Sequence, residues 1–112
     1  MRLEQTTLLT IIEGTVDEDG FVTDDEIIET EVSASELSVK ISDRIAGEHE
    51  GWHVSLKLAV DIDDYESSFA INTAGKRIRP QKLVYNDVTY IIKDPAKNLK
   101  THQMELLCSE VE

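Results

Sequence analysis

Residues 49–53 read HEGWH, which satisfies the pattern H-E-x-x-H. On a helix that pattern sets two histidines one turn apart to hold a zinc ion, and the glutamate between them acts as general base on a zinc-bound water. The chemistry requires His49 and His53 to share a helix face. Gly51 lies inside the motif and a period-two pattern starts at His53, so these residues predict a turn running into a strand, where the two imidazoles diverge. The other histidine, His102, falls in the last predicted strand, at no familiar ligand spacing. A second pattern spans residues 15–26, TVDEDGFVTDDE. As a twelve-residue calcium loop it offers Asp17, Asp19, Gly20 for the tight turn, apolar Val22, and Glu26 at the bidentate last position. Its first position holds Thr15 instead of Asp, and β-rich segments flank it where an EF-hand needs helices. A β-hairpin turn tipped with DEDG is the simpler reading. Cys108, the single cysteine, has no partner for an internal disulfide, and in the apolar run MELLC it reads as a buried structural thiol. With no nucleophile elbow or phosphate-cradling loop either, the expectation is a protein that is not an enzyme and has no catalytic, cofactor or metal residues.

The elements that must position these residues are mostly strands. Residues 6–13, TTLLTIIE, form a β-branched run ending at Gly14. Residues 26–41 place Ile28, Thr30, Val32 and Ala34 on one parity and Leu37, Val39 and Ile41 on the other, which predicts a long strand with a bulge. From His53 to Ile62 the alternation is cleanest, with Val54, Leu56, Leu58, Val60 and Ile62 on one face. Residues 83–92 form a hairpin around Asn86-Asp87, Asp94-Pro95 breaks the ladder into a loop, and residues 102–111 close the chain as a strand. Only residues 42–50 look helical, with Ser42 as N-cap and Gly47 stopping the helix after about a turn. The reading is a single all-β domain over residues 1–112, a small open β-barrel or sandwich of five to six mostly antiparallel strands with one short helix. No run approaches the ~20 apolar residues of a membrane span, and the start of the chain lacks a cleavable signal, so a soluble, cytosol-born protein is expected.

Charge is the strongest global feature: 23 acids stand against 11 Lys and Arg. Residues 1–70 hold 18 acids and 4 bases (net −14), whereas residues 71–112 hold 5 acids and 7 bases (net +2). Two patches stand out. Asp17, Glu18, Asp19, Asp24, Asp25 and Glu26 crowd an acidic turn, and Lys76, Arg77, Arg79 and Lys82 form a basic loop suited to docking on an acidic partner. Too acidic and too poor in aromatics to bind nucleic acid by stacking, the chain suits a structural or interaction role.

The order of pieces adds a resemblance. SVKISD at 38–43, VDIDDY at 60–65 and the pattern R-P-x-x-x-L-V-Y-N-x-x-x-Y from Arg79 to Tyr90 resemble the head-closure proteins of long-tailed bacteriophages, also called head-tail adaptor, joining or head completion proteins. The hairpin departs from the family in having Asn86-Asp87 where Asn-Gly is usual, and the helical segment lacks the aromatics often found there. The resemblance implies a virion structural protein at the head-tail interface, assembled in the host cytoplasm. It implies a ring, commonly twelve-membered, that sits below the portal and its adaptor, closes the head after packaging and offers the tail its attachment surface. It implies portal, adaptor and tail proteins of the same phage as partners and packaged DNA passing through the ring without specific binding; the high like charge, for its part, predicts a monomer in dilute solution that forms the ring on its partner. The acidic turn would then face the channel and repel phosphate. By position, the channel-closing segment would be 38–52, with Ser38, Asp43, Glu48, His49 and Trp52. The alternative reading is a small acidic calcium- or metal-binding protein, or a generic protein-interaction module.

Overall fold

A computed structural model of the chain describes residues 4–16, 18–22, 24–72 and 74–111. In chain order the elements are β1 (Glu4–Ile12), β2 (Glu26–Glu36), α1 (Ile41–His49), β3 (Leu56–Asp61), α2 (Ile62–Ser67), β4 (Ala70–Ile71), β5 (Arg77–Ile78), β6 (Lys82–Tyr85), β7 (Val88–Asn98) and β8 (Gln103–Glu110). Six strands close into an antiparallel barrel in the order β1-β2-β3-β8-β7-β6, while β4 and β5 pair as a separate two-stranded ribbon. The all-β expectation holds, and the barrel is closed where an open one was expected.

Inward-facing parity explains the core. β1 turns Thr6, Leu8 and Thr10 inward, and β3 contributes Leu56, Leu58 and Val60. Leu83, Leu106 and Cys108 complete the opposite wall, each fully buried. The two buried threonines are tolerated because each hydroxyl finds a carbonyl: Thr6 Oγ1 donates to the Val84 oxygen at 2.8 Å and Thr10 Oγ1 to that of Ser68 at 2.7 Å. Burial pushes the Cys108 thiol up to about 12, so it stays protonated and unreactive as a nucleophile.

Several expectations are corrected. The segment after β3 is the helix α2, started by Asp61, whose carboxylate accepts from the backbone N–H groups of Asp63 at 2.9 Å and Asp64 at 3.2 Å. Six residues are too few to show a helical period. The strand expected to reach Ile41 stops at Glu36, and the second parity set leads into α1, although the Leu37 N–H still bonds the Lys57 oxygen at 2.8 Å. Asp94-Pro95 does not break the ladder: β7 continues to Asn98 past a bulge between Ile92 and Asp94. β6 pairs β7 only as far as Ile91, so at Pro95 β7 has a ladder partner on one side only, β8, and lies at a local sheet edge, where proline is tolerated. β3 begins at Leu56 rather than His53.

α1 is the largest correction. It starts at an N-cap Lys40 rather than Ser42 and runs through Gly47 to His49. A Cβ at Gly47 would lie 2.9 Å from Val54 Cγ2 and 3.1 Å from the Trp52 oxygen. The glycine is there for close approach, not to end the helix. At the helix start, Asp43 Oδ2 accepts from the Lys40 backbone N–H at 3.0 Å and from Lys57 Nζ at 3.1 Å. Lys57 points out of the barrel but is only 6% exposed, and Glu105 on β8 holds it from the other side at 3.6 Å. A buried ammonium needs such partners.

Two outcomes are expected. Gly47→Ala, favourable in an isolated helix, destabilises this fold by about 1–3 kcal/mol through overpacking against Val54 and the Trp52 carbonyl, measurable by urea denaturation. Asp43 loses some hydration through burial, but the Lys40 N–H and the Lys57 ammonium outweigh that loss and lower its pKa below the ordinary 3.8. Its contribution is therefore complete above the unfolded value and lost as pH falls through the lowered one. Fluorescence of Trp52, the chain's single tryptophan, should report α1 loosening only below about pH 3.8. In Asp43→Asn the loosening should already be present at neutral pH.

Candidate functional site

Two surface features gather charge and apolar area. The first is an arm. Regular β1–β2 pairing ends at the rung Ile12↔Glu26, and beyond it, among the described residues, one further bridge, Val16↔Val22, joins the two legs as a narrow ribbon. Gly20 turns the tip at φ +83, a conformation that favours glycine. Asp25 Oδ1 accepts from the Gly14 N–H at 2.7 Å and braces the base. Glu18, Asp19, Asp24, Asp25 and Glu26 are all exposed on this arm, while Asp17 lies outside the described residues. Interleaved with the acids are Val16, Phe21 and Val22, exposed by 66, 70 and 73%. The acids and apolar Val22 stand out in the sequence, but nothing local marks Val16 and Phe21 as exposed beside them.

The second feature is a groove of about 410 Å³ between the β4–β5 ribbon and β7. Lys76, Arg77, Arg79 and Lys93 line it, with no carboxylate among the lining residues. The ribbon's loop is held by Asn72, whose Oδ1 accepts from the N–H groups of Ala74 at 3.0 Å and Lys76 at 2.9 Å. Arg77 lays its guanidinium 4.6 Å from the centre of the Phe69 ring, which fixes its position without consuming its charge. The apolar floor comes from Ile78, Pro80, Ile91, Ile92 and Pro95. Tyr65 lines the groove too, 1% exposed, and its buried hydroxyl has no hydrogen-bond partner. Burial raises the phenol's pKa, with the nearby Arg79 charge pulling the other way.

Of the four basic residues picked from the sequence, Lys76, Arg77 and Arg79 converge on this groove, whereas Lys82 opens β6 beside Leu9 and Ile91 and does not line it. Lys93 takes the fourth place. It was missed because it lies eleven residues further along the chain, and its only local sign is that it precedes Asp94-Pro95, where the β7 bulge falls. A wider depression of about 770 Å³ borders the groove, sharing Ile91 and Lys93 and reaching Trp52 and His53.

The expected channel-closing segment is mostly helix here. Ser38 precedes α1, Glu48 and His49 are exposed near its end, and Asp43 and Trp52 are half-buried against the barrel. Trp52 Nε1 donates to Glu50 Oε2 at 3.1 Å. α1 stops at His49 and Gly51 adopts φ +89, so HEGWH straddles a helix end and its two histidines share no helix face. His102 instead meets Asp63, with Nε2 and Oδ2 3.3 Å apart, and Asp61 lies within 4.8 Å of both. The helix-capping role of Asp61 and the His102–Asp63 side-chain contact already account for that grouping.

Neither protein-family models nor curated proteins give a match to this chain.

The orphaned Tyr65 hydroxyl makes a test of the groove's state. Removing an unsatisfied buried donor costs nothing in lost bonds, so Tyr65→Phe should leave stability unchanged or raise it by about 1 kcal/mol in urea denaturation. A large loss instead would mean the hydroxyl is already satisfied in the free protein.

Proposed function

We propose that this chain is a structural subunit of a phage head-tail connector. It forms a ring below the portal and adaptor, closes the head after DNA packaging and offers the tail a place to attach. The observation that carries the reading is the segregation of charge on one closed barrel, with an arm that bears only acids and a groove that bears only cations. A ring built from subunits of net charge −12 repels a phosphate backbone, so DNA slides through without sticking. The groove, with four cations over an apolar floor, suits an acidic protein surface within the connector. The motifs between Ser38 and Tyr90 that resemble head-closure proteins give the reading its direction. Like charge between copies opposes assembly in dilute solution at low salt, so the subunit is a monomer there and assembles at the head.

The experiment is genetic and structural together. In the genome that carries this gene, Arg77→Glu with Arg79→Glu should lower infectious particle yield by about tenfold or more. Packed heads should then leak DNA or remain without tails in electron micrographs. Full yield from a deletion of the gene would end the connector reading.

A further inference from the structure

We infer that the acidic surface received by the groove is the arm of a second copy of this chain: the tip around Phe21 and Val22 seats on the floor of a neighbour's groove while the arm's carboxylates meet its cations. The inference rests on the ring reading above and names the contact that would build the ring.

Three observations lead there. The first is complementarity in kind. The arm offers an apolar tip set among acids, and the groove offers an apolar floor set among Lys76, Arg77, Arg79 and Lys93. An apolar anchor surrounded by matched charges is the form in which interfaces concentrate their energy and fix their register. The second is the Tyr65 hydroxyl, buried at the groove with no partner and within the field of Arg79. A groove wall that leaves a buried donor unsatisfied in the free subunit gains from any rearrangement that lets an acceptor in, and an arm rich in carboxylates supplies one. The third is geometric. The groove lies at the base of the chain's own arm, because the Gln81 side chain, in the groove wall, bonds the Ile11 backbone at 2.8 and 3.0 Å. The arm leads away from that point by seven or so residues, roughly 20 Å at ~3.3 Å each. Its own groove is therefore out of reach of the tip, and the contact is made between copies.

A contact that joins one surface to a different surface is heterologous, and repeated it generates a ring or an open filament. The arm's acids then face a neighbour rather than DNA, which moves the channel-facing charge to acids elsewhere on the barrel. It also removes the large exposed apolar tip from water once the ring is built.

Disulfide trapping between two single substitutions tests this in the full chain. Val22→Cys is made in one sample and Ile78→Cys in another, and Cys108, fully buried, stays in both. Mixed in equal amounts at high concentration and oxidised, they should give the Val22→Cys to Ile78→Cys product in about tenfold excess over either symmetrical product. Adding Arg79→Glu to the Ile78→Cys chain should cut that yield by about tenfold, and adding Glu18→Lys with Asp24→Lys to the other chain, which leaves the Asp25 brace of the arm intact, should restore it. Restoration also shows that the variants fold. Products in the statistical 1:2:1 ratio, a dominant symmetrical product, or no product would each overturn the inference. Particle yield stays an independent readout: failed trapping with normal dependence of the phage on this gene removes the contact and keeps the connector reading. Successful trapping with a dispensable gene does the reverse.

Discussion

The barrel depends on a short seam. β1 and β6 meet over only three pairs, Thr7↔Val84, Leu8↔Leu83 and Leu9↔Lys82, and without them the six strands would be an open sheet with two exposed edges. Neighbouring groups lengthen the seam beyond the regular ladder. Thr6 Oγ1 donates to the Val84 oxygen from inside, the Gln81 N–H bonds the Leu9 oxygen at 3.1 Å, and the Gln81 amide side chain donates to and accepts from the Ile11 backbone. A side-chain amide thus does the work of one more strand residue. Since Gln81 also lies in the groove wall, the same seam fixes the groove at the root of the arm. Closure and the placement of the arm and groove are one constraint.

How far the sequence could be read follows from the range of the physics involved. Strand periodicity is local, and the strands it marked at Leu8, Leu58 and Leu106 form the core. The positive φ of Asn86 and Asp87, at 50 and 63°, is what a two-residue turn asks of those residue types. The failures occur where a tertiary contact overrides a local preference. Gly47 reads as a helix breaker until Val54 and Trp52 are seen packed against it, and Asp94-Pro95 reads as a breaker until β6 is seen to have ended at that level. Three of the four groove cations were legible as a cluster because they are adjacent in sequence. Lys93 was not, since only the folding of β7 against the β4–β5 ribbon brings it there.

Lys57 shows the same limit from another side. In an alternating strand it marks a solvent-facing position, yet it is almost wholly buried between Asp43 and Glu105. The outer face of β3 is therefore buried as well, with α1 anchored to it through the Asp43–Lys57 pair, and the ammonium is retained there because carboxylates on two elements satisfy it. Such a pair specifies where the helix sits more than it stabilises the fold.

α1 is consequently an addition to a barrel that closes without it. It carries Ile41 and Ile45 exposed on its outer side, at 76 and 61%, and contributes Gly47 as its buried contact. A helix with so little buried apolar area holds its place through one ion-pair cluster and one close backbone approach, both of which break as units. In the hierarchy of local stabilities it belongs near the low end, whereas β3 and β8, paired over six rungs from Leu56 to Asp61, belong at the high end. α1 is thus the segment the barrel can release without opening its own ladder. The arm and the groove are different: both are rooted in the β1–β6 seam, so any force applied at the arm tip is transmitted to the strands that close the barrel.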